Sequence, residues 1–160
     1  MDSIREYRRS DEEPIVKLSL RAWAPVFAGM ESAFGNELTI RLHGDWRCDQ
    51  KKEVRDTLAD QAMHVWVAET ERGVVGFVAA RVFDPERFVG EIVMLAVDPD
   101  DQHQDVGSAL TEFATAWLHT SGMRVAMIGT GGDGGHAPAR RVYERVGYTP
   151  IPMVRYFKAL

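Results

Sequence analysis

The sequence predicts an α+β domain on a mixed, mostly antiparallel sheet flanked by helices, and three observations carry that expectation. Apolar residues recur at helical spacing through the first third of the chain. From Met63 onward the pattern switches to strand-like runs separated by turn residues. From Phe88 onward, strand and helix patterns alternate in the order β-α-β-α-β.

Ile4 to Tyr7 is a strand candidate. Asp11, Glu12 and Glu13 followed by Pro14 form a helix-start signal, because carboxylates and proline suit a first helical turn. Ile15, Leu18, Ala22 and Val26 then mark an amphipathic helix over Ile15 to Met30, and Glu37 to Leu42 forms a short second one. Asp45 to Ala62 is charge-rich with Val54, Leu58 and Ala62 four apart, a surface helix with one narrow buried stripe. His64 to Glu69 and Val74 to Val82 read as a hairpin around Arg72-Gly73. Phe88 to Val97 is apolar on both faces and therefore central in the sheet. Val106, Leu110, Phe113, Ala114 and Trp117 give a helix of about 15 residues. Val125 to Ile128 is a further strand, Gly129 to Gly135 a loop, and Ala139, Val142, Tyr143 and Val146 line a last helix capped by Gly147. Thr149 to Phe157 closes the pattern as one or two edge strands, since Pro150 and Pro152 cannot donate to a central ladder.

Residues 1–160 have the size and composition of one domain, with 45% hydrophobic and 27% charged residues. The net charge of −5 lacks the basic footprint of a nucleic-acid binder and suits a cationic partner. The longest apolar run, which carries Glu91, is too short for a membrane span. With no leader pattern at the N-terminus and a single Cys48, the expected location is the cytoplasm.

Two motifs invite a reading that their context rejects. Gly129 to Gly134 matches G-x-G-x-x-G, but the acidic residue expected about 20 positions later is missing, so a flexible glycine loop is the better assignment. Asp98, Asp100, Asp101, His103 and Asp105 lack calcium-loop spacing, because His103 would occupy the obligatory glycine position. No metal is expected.

The stretch Val97 to Leu110 carries more. A loop ahead of a helix start presents unpaired N–H groups backed by the positive end of the helix dipole, an anion site in outline. The stretch also resembles the cofactor motif of the GNAT superfamily of N-acetyltransferases, V-x-P-x-x-(Q/R)-x-x-G-x-(G/A), through Val97, Pro99, Gln102 and Gly107. A second signature of that family, N-x-x-A-x-x-x-Y-x-x-x-G-(F/Y), is matched by Ala139, Tyr143, Gly147 and Tyr148, with His136 at the asparagine position.

The resemblance implies the GNAT fold, acetyl-CoA as co-substrate, and a primary amine on a small molecule or peptide as acceptor. It places the backbone of Leu95, Ala96 and Val97 against the pantetheine amides, with Gln102 in the motif. The amides from His103 through Gln104, Asp105, Val106 and Gly107 to Ser108 would hold the pyrophosphate, and His136 would also contact the cofactor. Tyr143 becomes the general acid toward the departing thiolate. Glu91, a carboxylate in an apolar strand, is the candidate general base; it could instead pair with an arginine such as Arg81. A non-catalytic, weakly CoA-binding module is the alternative, and a homodimer is compatible with either.

Asp105 departs from the motif's glycine. A carboxylate about 5 Å from a phosphate would cost roughly 3 kcal/mol at an effective dielectric near 20. Three readings stay open: a side chain turned to water, lost cofactor binding, or a motif shifted to begin at Gln104. The expected acceptor wall is Trp23, Phe27, Phe34 and Trp46 with Glu31 nearby, unless these aromatics are core.

Overall fold

The computed structural model describes residues 3–160. Strand β1 (Ser3–Glu6) leads through a 3₁₀ turn into α1 (Glu12–Phe34), whose first turn holds Glu12 and Glu13 as expected of a helix start. The helix runs four residues beyond Met30 and carries Pro25 in its interior, where the missing N–H leaves one carbonyl of the preceding turn without its helical donor. It is followed by α2 (Asn36–His43) and α3 (Trp46–Ala59), the latter capped by Asp45, whose side chain accepts from the Arg47 N–H at 3.1 Å. The expected extension of α3 to Ala62 is absent: the Ala62 N–H donates instead to the Asp60 carboxylate at 2.9 Å, a local turn that competes with the helix.

The remaining elements are β2 (His64–Thr70), β3 (Gly73–Asp84), β4 (Val89–Val97), α4 (Val106–Thr120), β5 (Val125–Ile128) and α5 (Ala137–Arg145). The sheet runs β1-β2-β3-β4-β5, antiparallel throughout except for the parallel pair β4–β5. One face packs on α4 through Val78, Ala80, Ile92, Leu110 and Leu118. The other packs on α1 and α3 through Ile15, Val54, Phe77, Ala79 and Met94. The alternation of Phe77 and Ala79 with Val78 and Ala80 puts β3 in both cores at once. Among the described residues no helix is long and apolar enough to cross a membrane.

The edge strands expected over Thr149 to Phe157 do not form. This segment has no strand, and Ile151, Met153, Val154 and Tyr156 are exposed. Pro150 and Pro152 sit two apart, so both missing N–H groups fall on one side of any strand built there, and that ladder cannot close. β5 is therefore the last strand of the sheet.

Arg5 of β1 ties the sheet to the start of α1. Its guanidinium donates to both oxygens of Asp11 at 2.8 and 3.0 Å and to both oxygens of Glu69 on β2 at 2.8 and 3.0 Å. Asp11 is only 5% exposed and also accepts the Arg8 N–H at 2.8 Å.

Candidate active site

The parallel pairing of β4 with β5 stops after four residues, Val89 to Ile92 against Val125 to Ile128. Beyond it, Val93 to Val97 still pair with β3 on one side except at Val93, which the register skips between Met94 opposite Ala79 and Ile92 opposite Ala80. That skip is a β-bulge, and a bulge bends its strand. The opposite edge of β4 is thus left without a ladder partner just where the two strands part. A cleft of about 340 Å³ opens there, walled by β4, the loop into α4, one face of α5, and Trp23, Pro25 and Val26 of α1.

Its floor meets the N-terminus of α4. Asp105 precedes the helix in the left-handed conformation (φ 58°) and its side chain does not cap it, so the first amides of α4 stay open. The conformation accounts for the glycine of the motif, which adopts it without strain, while aspartate is among the residues that tolerate it. The carboxylate turns instead to Arg145 of α5, 2.7 Å away. Ser108, in the first turn of α4, is 92% buried against the cleft with a hydroxyl that has no partner. A buried orphan hydroxyl beside open amides is the donor set an oxyanion requires. Gln102 donates to the Val97 carbonyl at 3.2 Å and so secures the end of β4.

The acidic run from Asp98 to Asp105 is held in ion pairs. Arg21 of α1 reaches Asp98 at 2.7 Å and Asp100 at 2.9 Å, and Arg72 pairs with the buried Asp101. With Arg145 on Asp105, four carboxylates face three guanidinium groups. Among the residues lining the cleft, Arg141 and Arg145 stand against the single carboxylate of Asp105. The repulsion expected of this loop toward an anion is largely cancelled by contacts 29 to 79 residues apart in sequence.

Tyr143 lies in the cleft wall on α5 and is 9% exposed. Burial, with Tyr148 nearby, pushes its hydroxyl pKa up to about 12, so the phenol keeps its proton at any physiological pH. Leu95, Ala96, Val97, Gln102, His103, Asp105, Val106, Gly107, Ser108 and His136 all line the cleft, whereas Gln104 does not. Glu91 is not brought there. It accepts from Arg81 at 2.9 and 2.7 Å on the neighbouring strand, the arginine pairing that the sequence left open.

Of the expected acceptor wall only Trp23 reaches the cleft. Phe27 stacks on Trp46 with ring centroids 4.4 Å apart, and Phe34 packs on Phe157 at 5.6 Å, so these aromatics join elements to each other. Sequence reasoning missed Arg145 and Arg141. The signal available was the basic character of α5 opposite an acidic helix start.

The Acetyltransferase (GNAT) domain model matches residues 61–150, more than half of the chain. The chain belongs to the GNAT family. Its fold agrees with solved structures: a protein of the GNAT family from Desulfovibrio desulfuricans superposes with a TM-score of 0.69 at 18% identity, covering 94% of this chain and 86% of that one. An aminoglycoside 6'-N-acetyltransferase from Acinetobacter haemolyticus gives 0.67 at 14% identity, covering 99% and 98%. Curated relatives include the mycothiol acetyltransferase of Amycolatopsis mediterranei, 32% identical over 156 residues that span 86% of this chain and 48% of that protein. That of Beutenbergia cavernae is 40% identical over 68 residues, 42% of this chain and 22% of that protein. The chain thus spans about half the length, or less, of these curated relatives.

The Asp105–Arg145 pair makes a direct prediction for cofactor affinity. Both side chains are mostly exposed, so the pair itself adds less than about 1 kcal/mol to stability. Its weight lies in masking the carboxylate. Arg145→Ala, which bares that charge, should weaken CoA binding by about tenfold or more in calorimetric titration, while Asp105→Gly should tighten it by no more than about tenfold. Equal affinities in all three proteins would show that the loop does not meet the cofactor phosphates.

Proposed function

We propose that this chain transfers an acetyl group from acetyl-CoA to a primary amine by direct attack, the acceptor being a small molecule or peptide. The observation that carries the reading is the unpaired β4 edge opening onto the uncapped N-terminus of α4. The amine acetylation named for its structural relatives and the acetyl transfer named for its curated relatives support the same reading.

Acetyl-CoA, when bound, supplies the thioester. The chain's own groups divide the remaining work. Backbone N–H and C=O groups of Leu95, Ala96 and Val97 take the pantetheine amides as a strand takes its neighbour, which aligns the thioester along β4. Amides of Val106, Gly107 and Ser108, the Ser108 hydroxyl and the Arg145 guanidinium receive the pyrophosphate charge. Tyr143, neutral and buried, gives its proton to the departing sulfur. Trp23, Pro25 and Val26 of α1 wall the acceptor side and limit water entry. A cytoplasmic location fits the free, exposed thiol of Cys48.

Thiol release from acetyl-CoA, measured over a panel of alkylamines, amino sugars and peptide N-termini, tests this. Release matched mole for mole by N-acetylated product is the expected result. Absence of turnover with every amine by a folded protein would favour the non-catalytic module instead.

A further inference from the structure

We propose that His136 is the general base of this site and Asp133 the residue that positions it, a reading that rests on the acetyl transfer proposed above. The dyad is built at the end of the glycine-rich loop Gly129 to Gly135. His136 lines the cleft, and its Nδ1 lies 2.5 Å from Asp133 Oδ1. The second oxygen of Asp133 accepts the Gly135 N–H at 3.0 Å, so the carboxylate is fixed at both ends. Burial opposes the Asp133 charge, but the His136 contacts hold its carboxyl below the ordinary range, and it remains an acceptor at neutral pH.

The loop is shaped around this pair. A Cβ at Gly131 would collide with both Asp133 Oδ1 and the His136 ring, and one at Gly135 would come within 2.8 Å of the Val26 Cα on α1. Arg140 donates to the Gly131 and Asp133 carbonyls at 2.6 and 2.7 Å, locking the loop from α5. With Nδ1–H engaged by a carboxylate, Nε2 is the nitrogen left with a lone pair, the arrangement a base requires. Seven positions along the chain, two turns of α5 and about 10 Å by helical rise, Tyr143 lies on the same face. Base and acid thus line one cleft, His136 from the N-cap of α5 and Tyr143 from within the helix. The other titratable side chains there are His103, Asp105, Arg141 and Arg145.

In the step proposed, the acceptor ammonium gives one proton to His136 Nε2, and the freed nitrogen pair forms the new N–C bond at the thioester carbonyl. The C–S bond breaks, its electron pair stays on sulfur, and Tyr143 protonates it. The second proton leaving nitrogen restores Tyr143 through solvent, and the imidazolium returns its own proton to water. The net release is one proton per amide formed.

Two measurements test the assignment. Nitrogen-15 NMR of the histidine side chains, in the absence of any ligand, should find His136 as the Nδ1–H tautomer and should find that preference lost in Asp133→Asn; an Nε2–H tautomer in the wild type would overturn the proposal. In kinetics, His136→Ala should lower kcat for alkylammonium acceptors by roughly 10²- to 10³-fold. It should lower kcat by less than about fivefold for an acyl hydrazide acceptor, whose terminal nitrogen is a weak base already neutral at pH 7, with the acetyl-CoA dissociation constant within about threefold of wild type. Equal losses on both acceptors, or weakened cofactor binding with kcat kept, would make His136 a cofactor contact and not a base. Thermal unfolding of His136→Ala and His136→Asn checks that both fold. Wild-type turnover with an unaffected variant overturns this assignment alone, whereas a wild type inert toward all amines overturns the transfer reaction and the base with it.

Discussion

Tyr143→Phe should lower kcat by roughly 10²- to 10³-fold while leaving the affinity for acetyl-CoA within a fewfold of wild type. The substitution removes one hydroxyl from a side chain that is 9% exposed and keeps the ring that packs in the cleft wall, so the fold should be retained and the proposed proton donor lost. The pH behaviour separates this from a structural effect. Because burial raises the hydroxyl to about 12, Tyr143 stays protonated below pH 10, and no fall in wild-type activity over that range should trace to it. The same shift has a stability sign. A group whose folded pKa lies above its unfolded value contributes stability that is complete below about pH 10 and is lost as pH rises toward 12. Tyr143→Phe should therefore resist alkaline unfolding better than wild type in that window, and a loss of kcat below about threefold would remove Tyr143 from the chemistry.

Arg5→Ala should destabilise the fold by about 3 kcal/mol, because it leaves the buried Asp11 carboxylate without its counter-charge. At about 3 °C per kcal/mol for a domain of this size, Tm should fall by about 10 °C. The Glu69 side of the fork adds little, since that side chain is over a third exposed. The acid limb supplies the sign. The Arg5 hydrogen bond holds the Asp11 carboxyl below its ordinary value against the opposing effect of burial. Its stabilisation is therefore present above about pH 4 and lost as pH falls through the lowered value. In Arg5→Ala burial remains with only the amide and charge of Arg8 to oppose it, so the gap between variant and wild type should narrow on acidification. Urea unfolding at pH 7 and pH 3 reads both effects. A gap that stays constant would mean that the loss comes from packing and not from the ion pair.

Local periodicity made most elements legible. The spacing of Val106, Leu110, Ala114 and Trp117 locates α4, and Val97, Pro99, Gln102 and Gly107 locate the loop before it. What decides the site is not local. The bulge at Val93 arises from the register of β4 on β3, and the parting of β4 from β5 depends on where a four-residue strand ends. Neither leaves a periodic trace. The acidic loop reads as hostile to an anion because Arg21, Arg72 and Arg145 lie 29 to 79 residues away from the carboxylates they neutralise. Glu91 shows the reverse case: a carboxylate in an apolar strand suggests a base, yet the cross-strand position of Arg81 supplies a structural partner. The tail shows propensity overruled, since its β-branched and aromatic residues are interrupted by Pro150 and Pro152. The Asp133–His136 pair, three residues apart, was within reach of sequence reasoning but hidden in a run of glycines that suggests only flexibility.

The central claim is that the unpaired edge of β4 and the open start of α4 together receive acetyl-CoA. Backbone amide NMR of the protein titrated with CoA tests it directly. The amides of Leu95, Val97, Val106, Gly107 and Ser108 should shift together with one dissociation constant, while those of β1 and β2 stay in place. Shifts confined to other surfaces, or none at millimolar CoA, would contradict it.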